Sequence, residues 1–339
     1  MNSSEMSKYL IYRYIYDSGN VQDIDFPRIP VTTSDELIDA LGRLTREAAN
    51  DGKAALALSG GIDSAVLAYF MPKGSKAYTF RCIVPGVEVT DETERAGIIA
   101  DICGLDHEVI NIYWENITAV LDDLMRHKNA PIHSIEAQIY IAARKAKDKG
   151  FTKFILGENA DIIYGGMNGL LIKDWLTGEF IDRYTYVMPY KVLRKPEMPL
   201  NPYYEFDHDG HIDAHDFINK YFRQEALGTY NNACSTAGVK FIGPYSLTKL
   251  NAPLDYDRIR RGDTKYLVRE AFRKLYPDLD MPEKIPMPRP VNEWFKSWKG
   301  PERPEFFPHC TDNMTGDQKW MVFCLERWLN LQEGTICTK

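Results

Sequence analysis

The residues best suited to chemistry lie in one short turn, SGGIDS, between an apolar strand and an apolar helix. Gly60 and Gly61 lack Cβ atoms and permit positive φ, so their backbone N–H groups can approach a bulky anion. A helix that begins near Asp63 adds free N–H groups and the positive end of its dipole. Ser59 and Ser64 supply hydroxyl donors, and a carboxylate there can hold Mg²⁺ against phosphate oxygens. The turn predicts a pyrophosphate cradle; the alternative is a glycine-rich turn that binds nothing.

A second group of such residues occurs in FILGENADIIYGG, which contains Gly157, Glu158 and Asp161. The two acidic residues are three positions apart, so they face one way in a tight turn or a first helical turn. One could ligate Mg²⁺ while the other accepts a proton. The alternative is a helix start that carries acidic residues because they favour the positive end of the helix dipole.

The elements around both motifs alternate between strand and helix. The strands are continuous apolar runs, which is typical of a parallel sheet covered by helices on both faces. In such sheets ligands bind at the carboxyl ends of the strands, where both motifs fall. We predict strands over 53–58, 76–85, 107–113 and 153–157, and helices over 34–50 (capped by Ser34), 64–70, 91–104 (ended by Gly104) and 135–150 (ended by Gly150).

After about residue 170 the strand signals fade and proline, tyrosine and charged residues become more frequent. Helices are predicted over 213–227, 263–276 and 316–332. We therefore expect an α/β domain over 51–170, a helical lead-in over 1–50, and a mostly helical region over 171–339 that packs on the sheet.

Composition excludes several classes of function. The chain has 339 residues with a formal net charge of −7, so it lacks the basic excess of a general nucleic-acid binder. No apolar run reaches the roughly 20 residues of a membrane span, and the first residues do not form a signal peptide. Six cysteines without a CxxC pair suit reduced thiols. We expect a cytoplasmic protein with neither a membrane nor a nucleic-acid partner.

The acidic segment EFDHDGHIDAHD, residues 205–216, could be interpreted as a calcium-binding loop or, from its histidines, a zinc site. Its first position is Glu, its twelfth is Asp, and two prolines precede it, so it departs from the EF-hand pattern. The sequence favours a hairpin turn at Asp209-Gly210, followed by a helix capped by Asp213.

The first motif resembles the PP-loop signature of the N-type ATP pyrophosphatases, a superfamily known for adenylating an oxygen and releasing pyrophosphate. The second resembles the asparagine synthetase signature Gly-Glu-Gly-Ala-Asp-Glu-x-Phe-Gly-Gly, from which Asn159 and Ile162 depart. The order of strand, SGGxDS, acidic helix and GExAD is similar to that family from about residue 35 to 295. The resemblance implies the PP-loop type of α/β fold, a parallel sheet with helices on both faces.

A C-terminal run, NAPLDYDRI followed by DTKYLVREAFRKLYPDLDMPEK, also resembles asparagine synthetases. Lys265 and Arg269 fit the family pattern, and Lys284 falls where the family keeps a lysine that faces the reacting phosphate. Asn251 and Pro282 stand where the family has arginines. The resemblance therefore does not extend to aspartate as the substrate.

The resemblance implies an amide ligase that uses ATP and Mg²⁺. A small-molecule carboxylic acid would be adenylated, and ammonia or an amine would then displace AMP. Asp63 and Asp161 would hold Mg²⁺, Lys284 would stabilise charge on the phosphates, and Glu158 would be the base for the amine. The implied nucleotide-binding residues are Ser59, Gly60, Gly61, Asp63, Ser64 and Gly157.

Asparagine synthetases usually begin with a glutaminase domain whose cysteine follows the initiator Met, whereas residue 2 is Asn here. We therefore expect no glutamine hydrolysis by this chain, and nitrogen from ammonia, another amine or a separate glutaminase. A homo-oligomer is compatible with the sequence. Two alternatives are a related enzyme with a different second step, such as nucleotide thiolation, and a non-catalytic nucleotide-binding protein.

Overall fold

The computed structural model describes residues 1–18, 27–283 and 287–334. The strands are β1 Ile29–Val31, β2 Ala54–Ala57, β3 Lys76–Cys82, β4 Asp106–Ile112, β5 Lys153–Ile155, β6 Trp175–Leu176, β7 Asp207–His208, β8 His211–Ile212, β9 Lys240–Ile242 and β10 Thr248–Leu250. The helices of the first half are α1 Ser3–Tyr12, α2 Ser34–Ala49, α3 Ile62–Ala68, α4 Thr93–Cys103, α5 Trp114–Lys128, α6 Glu136–Asp148, α7 Ala160–Ile163 and α8 Asn168–Leu171. Those of the second half are α9 Thr177–Tyr184, α10 Asn201–Tyr204, α11 Ala214–Phe217, α12 Arg223–Ala237, α13 Tyr256–Arg260, α14 Tyr266–Leu275, α15 Val291–Trp294 and α16 Gly316–Gln332.

The centre of the fold is a five-stranded parallel sheet in the order β4-β3-β2-β5-β9. Strand β2 therefore lies in the middle and is fully buried, as a strand covered on both faces should be. Two short sheets accompany it: β1 pairs with β10 in parallel, and β6, β8 and β7 form an antiparallel set. The parallel sheet predicted from the sequence is confirmed.

Strand β2 divides the apolar core because successive side chains point to opposite faces. Ala55 and Ala57 join a core formed largely with α5, α6, α12 and α16. Leu56 joins a second core formed with α2, α3, α4 and α14. Helices therefore cover both faces of the sheet. All four strands predicted from the sequence are present, each within a few residues of its expected ends.

Several local predictions needed correction. Ser34 is the first residue of α2, and its N-cap is Thr33, which forms a capping box with Glu36. Helix α4 ends at Gly104 in the left-handed conformation, as predicted. The C-cap of α6 is Lys149, and Gly150 follows it with φ +91°. Helix α5 and strand β9 were not predicted, and β9 brings residues from the C-terminal half into the main sheet.

A third, aromatic core joins α1 to the region that contains α8–α12. Tyr203 and Phe217 stack in it with ring centroids 4.9 Å apart, and Tyr12 packs against Tyr203 at 5.3 Å. The adjacent acidic segment is a hairpin with Asp209 and Gly210 in its turn. Asp213 follows it and caps α11 by accepting a hydrogen bond from the Asp216 backbone N–H, as predicted.

None of the helices in residues 1–18, 27–283 and 287–334 is long and apolar enough to cross a membrane. The five cysteines within these ranges are free thiols, in keeping with the predicted reduced state. These ranges also contain no cluster of three or more His, Cys, Asp or Glu side chains placed to hold a metal ion.

Candidate active site

The SGGIDS turn connects the carboxyl end of β2 to the start of α3, whose N-cap is Gly61. Its two serines close the turn on itself: the hydroxyl oxygens of Ser59 and Ser64 lie 3.0 Å apart. The Ser64 hydroxyl accepts a hydrogen bond from the Ser59 backbone N–H at 3.0 Å, and the Ser59 hydroxyl accepts one from the Gly61 N–H at 3.1 Å. The hydroxyls thus fix the shape of the turn that presents Asp63.

The two glycines of this turn do not adopt the positive φ that glycine permits. Gly61 has φ −81°. The absence of side chains matters here because of close packing: a Cβ on Gly60 would lie 3.1 Å from the Cβ of Glu92 and 3.2 Å from that of Arg95. The loop before α4 therefore lies directly on the glycine turn.

Three charged side chains converge at the carboxyl ends of β2 and β5. The ammonium of Lys265 lies 2.9 and 2.7 Å from the two carboxylate oxygens of Asp63 and 3.0 Å from one oxygen of Asp161. The lysine side chain is only 8% exposed. Burial opposes its charge, but the two carboxylates more than compensate and raise the pKa of Lys265 above its ordinary value. The two predicted metal ligands are thus brought together around one cation position.

The second motif is packed against the first through Gly157. A Cβ at this position would lie 3.1 Å from the backbone carbon of Asp63 and 3.1 Å from the nitrogen of Ser64. These distances are tighter than most Cβ contacts, so glycine allows the approach without a shift of the Asp63 backbone. Gly166, at the other end of the motif, has the same role, because its Cβ would meet the Asp161 carboxylate at 1.9 Å. Both glycines therefore position an acidic side chain of the site.

Asn159, which stands where the asparagine synthetase signature has glycine, adopts the left-handed conformation with φ +70°. Asparagine tolerates this conformation better than other residues with a side chain, so the substitution keeps the backbone geometry. Its side-chain amide is buried and donates to the Ser246 hydroxyl at 2.6 Å. The departure from the family pattern is therefore conservative for the fold of the turn.

Glu158 faces the same cavity beside Tyr230 of α12. Burial raises the pKa of the Glu158 carboxyl to about 7, although a hydrogen bond from the Tyr230 hydroxyl acts in the opposite direction. Glu92 lies across the glycine turn, and its pKa is also raised to about 7, mainly by burial and then by the charge of Asp63. The cavity thus holds two carboxyl groups that titrate near neutrality.

These residues line a cavity of about 250 Å³. Its cationic members are Lys265 and Arg269, and the Nε of Arg269 has no hydrogen-bond partner among the described residues. Lys284 lies outside the described residues, so its predicted position near the phosphates stays a prediction. The other predicted members that line the cavity are Ser59, Gly61, Asp63, Ser64, Gly157, Glu158 and Asp161.

The sequence motifs predict the acidic residues Asp63, Glu158 and Asp161 of this site, but not every other residue that lines it. Lys265 matched a loose C-terminal pattern and was not assigned to the carboxylates. It adopts φ +49°, a rare conformation for lysine that precedes α14. Tyr230 carried no signal of its own, and Glu92 belongs to the acidic stretch that resembles the family but was not assigned to the site. Each reaches the cavity through packing of distant chain segments.

Comparison with known proteins indicates the family of the chain. The family model of asparagine synthase matches residues 35–226, more than half of the chain. No curated protein matches the chain significantly in sequence. Among solved structures, an NH3-dependent NAD synthetase from Campylobacter jejuni is 17% identical, with a TM-score of 0.26 over 40% of this chain and 61% of that one.

The chain thus spans less than two thirds of that synthetase, and so low a TM-score carries no weight for function. The family model is the informative comparison, since its matched range contains the glycine turn and the motif from Gly157 to Gly166. Lys265 and Arg269 lie beyond it. The chain belongs to the asparagine synthase family.

Proposed function

We propose that this protein is an ATP-dependent carbon–nitrogen ligase that adenylates a carboxylic acid and then transfers ammonia or an amine to it. The observation that carries the proposal is the convergence of Asp63, Asp161 and Lys265 at the carboxyl ends of the sheet, beside a glycine turn. Such an arrangement suits a triphosphate, because bare backbone, cations and metal-binding carboxylates meet in one cavity.

The first step joins the acceptor to AMP. An oxygen of the acceptor carboxylate attacks the α-phosphorus of ATP, the bond from that phosphorus to the bridging oxygen breaks, and pyrophosphate leaves. Negative charge builds on the α-phosphate and on the departing group. Lys265 and Arg269 are the described cations in the cavity that can stabilise it. Lys284 is proposed as a third.

The second step forms the amide bond. The nitrogen attacks the acyl carbon, the bond from that carbon to the AMP oxygen breaks, and AMP leaves. The attacking nitrogen must lose a proton. Glu158, whose pKa is about 7, is half-ionised near neutrality and can accept it. The Tyr230 hydroxyl orients this carboxylate through its hydrogen bond.

Magnesium fits the residues present. Asp63 and Asp161 offer hard oxygen ligands, and both already point at one cation position, where the Lys265 ammonium lies. The two carboxylates would hold the ion together with phosphate oxygens of ATP. Bound there, the ion would neutralise phosphate charge.

The alternatives are less well supported. Thiolation of a nucleotide requires a reactive cysteine near the nucleotide, yet the described residues that line the cavity include none. Burial raises the pKa of the thiols of Cys82 and Cys234 to about 12, which makes them poor nucleophiles. A non-catalytic nucleotide-binding protein would have no need for a carboxyl group held near neutrality beside the metal-binding pair.

The decisive experiment measures pyrophosphate release from ATP with a panel of carboxylic acids, in the presence of ammonia and of glutamine. We expect at least one acid to stimulate release and to yield AMP with ammonia present. Lys265→Met should lower the stimulated release by about 10²–10³, whereas Lys249→Met, on the exposed side of β10, should not lower it. Stimulation that is equal in both variants would contradict the proposed site.

A further inference from the structure

A second cavity, of about 290 Å³, lies on the opposite side of the turn that carries Asp161. Gly166 lines it, while the Asp161 side chain that touches Gly166 lines the first cavity. The proposed function does not use this cavity. It is bordered by α1, the loop before α8, and the end of α9. Its described lining contains two arginines, Arg13 and Arg183, and no carboxylate.

Arg13 is the notable residue, because it is a cation that is 93% buried and short of acceptors. It follows α1 with φ +68°, which turns its side chain into the fold. Among the described residues its guanidinium donates one side-chain hydrogen bond, from Nη2 to the Tyr184 hydroxyl at 3.1 Å. Its Nε has no hydrogen-bond partner among the described residues. A guanidinium has five N–H donors, so most of its capacity is unused.

The nearest carboxylate does not satisfy this arginine. An oxygen of Glu225 lies 3.9 Å from the Arg13 Nε, too far for a hydrogen bond. Burial raises the pKa of the Glu225 carboxyl above its ordinary value, an effect that Arg13 only partly opposes. The pair is therefore loose, and a ligand carboxylate could approach the guanidinium with better geometry.

Aromatic rings form the walls around Arg13. Its guanidinium carbon lies 5.2, 5.1 and 4.7 Å from the ring centroids of Tyr184, Tyr186 and Phe222. All three rings also line the cavity. They hold the guanidinium in place and offer flat apolar surface to a ligand. Arg183 is exposed, and its guanidinium packs on Gly169 at the edge of the cavity.

We propose that this cavity binds a small molecule with a carboxylate, which pairs with Arg13, and a flat apolar body, which packs against the aromatic walls. The described lining has a buried cation with unused N–H donors and three aromatic rings, and it contains no carboxylate. Together these features favour a ligand of that kind. Such a ligand is either the acceptor of the proposed ligase or a separate effector. The binding site itself does not depend on the proposed ligase activity.

The test is calorimetric titration of the full chain with benzoate, with benzamide and acetate as matched controls. Benzamide keeps the ring without the charge, and acetate keeps the charge without the ring. We expect saturable binding of benzoate and at least about tenfold weaker binding of either control, since hydrogen bonds to charged groups are worth roughly that factor or more.

Two variants separate binding from a merely structural role. Arg13→Lys keeps the charge but loses the planar fork, so benzoate should bind about tenfold more weakly. Glu225→Gln removes the competing carboxylate, so benzoate should bind more tightly. A general loss of structure would weaken benzoate binding in both variants, so opposite changes in affinity would not be expected from it. Arg144→Lys, an exposed position on α6, is the control and should leave binding unchanged.

A second measurement identifies the source of the ligand. If benzoate occupies the place of the acceptor, it should alter pyrophosphate release from ATP competitively with the active acid; if it occupies an effector site, it should bind without such competition. In both cases Arg13 is required for binding. Absence of benzoate binding, or equal binding by the wild-type chain and Arg13→Lys, overturns the proposal.

Discussion

The two cavities on either side of the 161–166 turn have opposite electrostatic designs. The described lining of the first has five carboxyl groups, those of Asp63, Asp161, Glu92, Glu158 and Glu283, with Lys265 held between the first two. The second has two arginines and no described lining carboxylate. In the first, a protein cation occupies the position between paired acids; in the second, a buried cation has an acid, Glu225, at ion-pair distance but not at hydrogen-bond distance.

This difference indicates what each cavity can receive. The acidic cavity can accept a metal ion together with phosphate groups, because the acids and cations are close enough to exchange partners. The cationic cavity suits an anion, and its aromatic rings favour one with a flat body. The 161–166 turn separates the two cavities, so the effect of a substitution in one cavity can be compared with the effect of a substitution in the other.

The largest effect is expected from Asp63→Asn. The substitution removes a proposed Mg²⁺ ligand and one of the two partners of Lys265, while the shape of the turn is kept by its serines. We expect pyrophosphate release to fall about 10³-fold, or to require much more Mg²⁺. Magnesium titrations of the wild type and the variant would measure this. Unchanged release at unchanged Mg²⁺ would show that Asp63 is not a ligand.

Lys265→Met should lower the rate of pyrophosphate release by about 10²–10³, with ATP binding less affected, because the charge stabilises the transition state most. Lys284→Ala, tested beside it, should have an effect of the same size if the resemblance places it correctly. Single-turnover kinetics would separate binding from chemistry. Near-normal turnover of Lys265→Met would show that the lysine only pairs with the two aspartates and takes no part in the reaction.

Glu158→Gln should slow amide formation by about 10²-fold while sparing pyrophosphate release. In the wild type the rate of amide formation should rise with pH through about 7, because only the ionised carboxylate accepts a proton. In the folded protein the Glu158 carboxyl keeps its own proton up to about pH 7, whereas in the unfolded chain it releases that proton near pH 4.5. Glu158 therefore makes the free energy of unfolding fall as pH rises between those values. Urea unfolding from pH 5 to 8 should show a smaller fall in the variant.

The smallest effect concerns packing between the two motifs. Gly157→Ala would force a methyl group against the Asp63 backbone, and we expect it to lower the free energy of unfolding by about 1–3 kcal/mol. Gly97→Ala is the matched control, because its Cβ would meet no atom within 4 Å in the middle of α4. That substitution should raise stability by about 0.5–1 kcal/mol. If chemical denaturation gave the same change in the free energy of unfolding for Gly157→Ala and Gly97→Ala, the close approach of Gly157 to the Asp63 backbone would be contradicted.

The parts of this protein that were predictable from sequence are those set by local pattern. Buried strands, helix ends such as Gly104, and the two acidic motifs each carry a signal within a few residues. Strand β9 has only three residues, none fully buried, so it has no comparable signal. The partnership of Lys265 with Asp63 joins residues 202 positions apart, and only the tertiary fold brings them together.

Arg13 is a clearer example of a residue whose position in the fold cannot be predicted from the local sequence. Nothing in YLIYRYIYDSG distinguishes it from a surface arginine, since its burial depends on rings from α9, the loop after it, and the residues before α12. Gly60 and Gly61 do not use the positive φ that glycine permits, and close contact of Gly60 with Glu92 and Arg95, which the local sequence does not show, accounts for the missing side chain there.

The position of β9 has a consequence for how the chain is made. Its pairing with β5 completes one edge of the main sheet, yet the two strands are separated by more than 80 residues of sequence. During synthesis, the edge of β5 therefore stays uncovered until residue 242 has left the ribosome, and an unpaired edge strand invites association with other chains. A fragment that stopped at residue 226, where the family match ends, would keep that edge permanently and would be prone to aggregate.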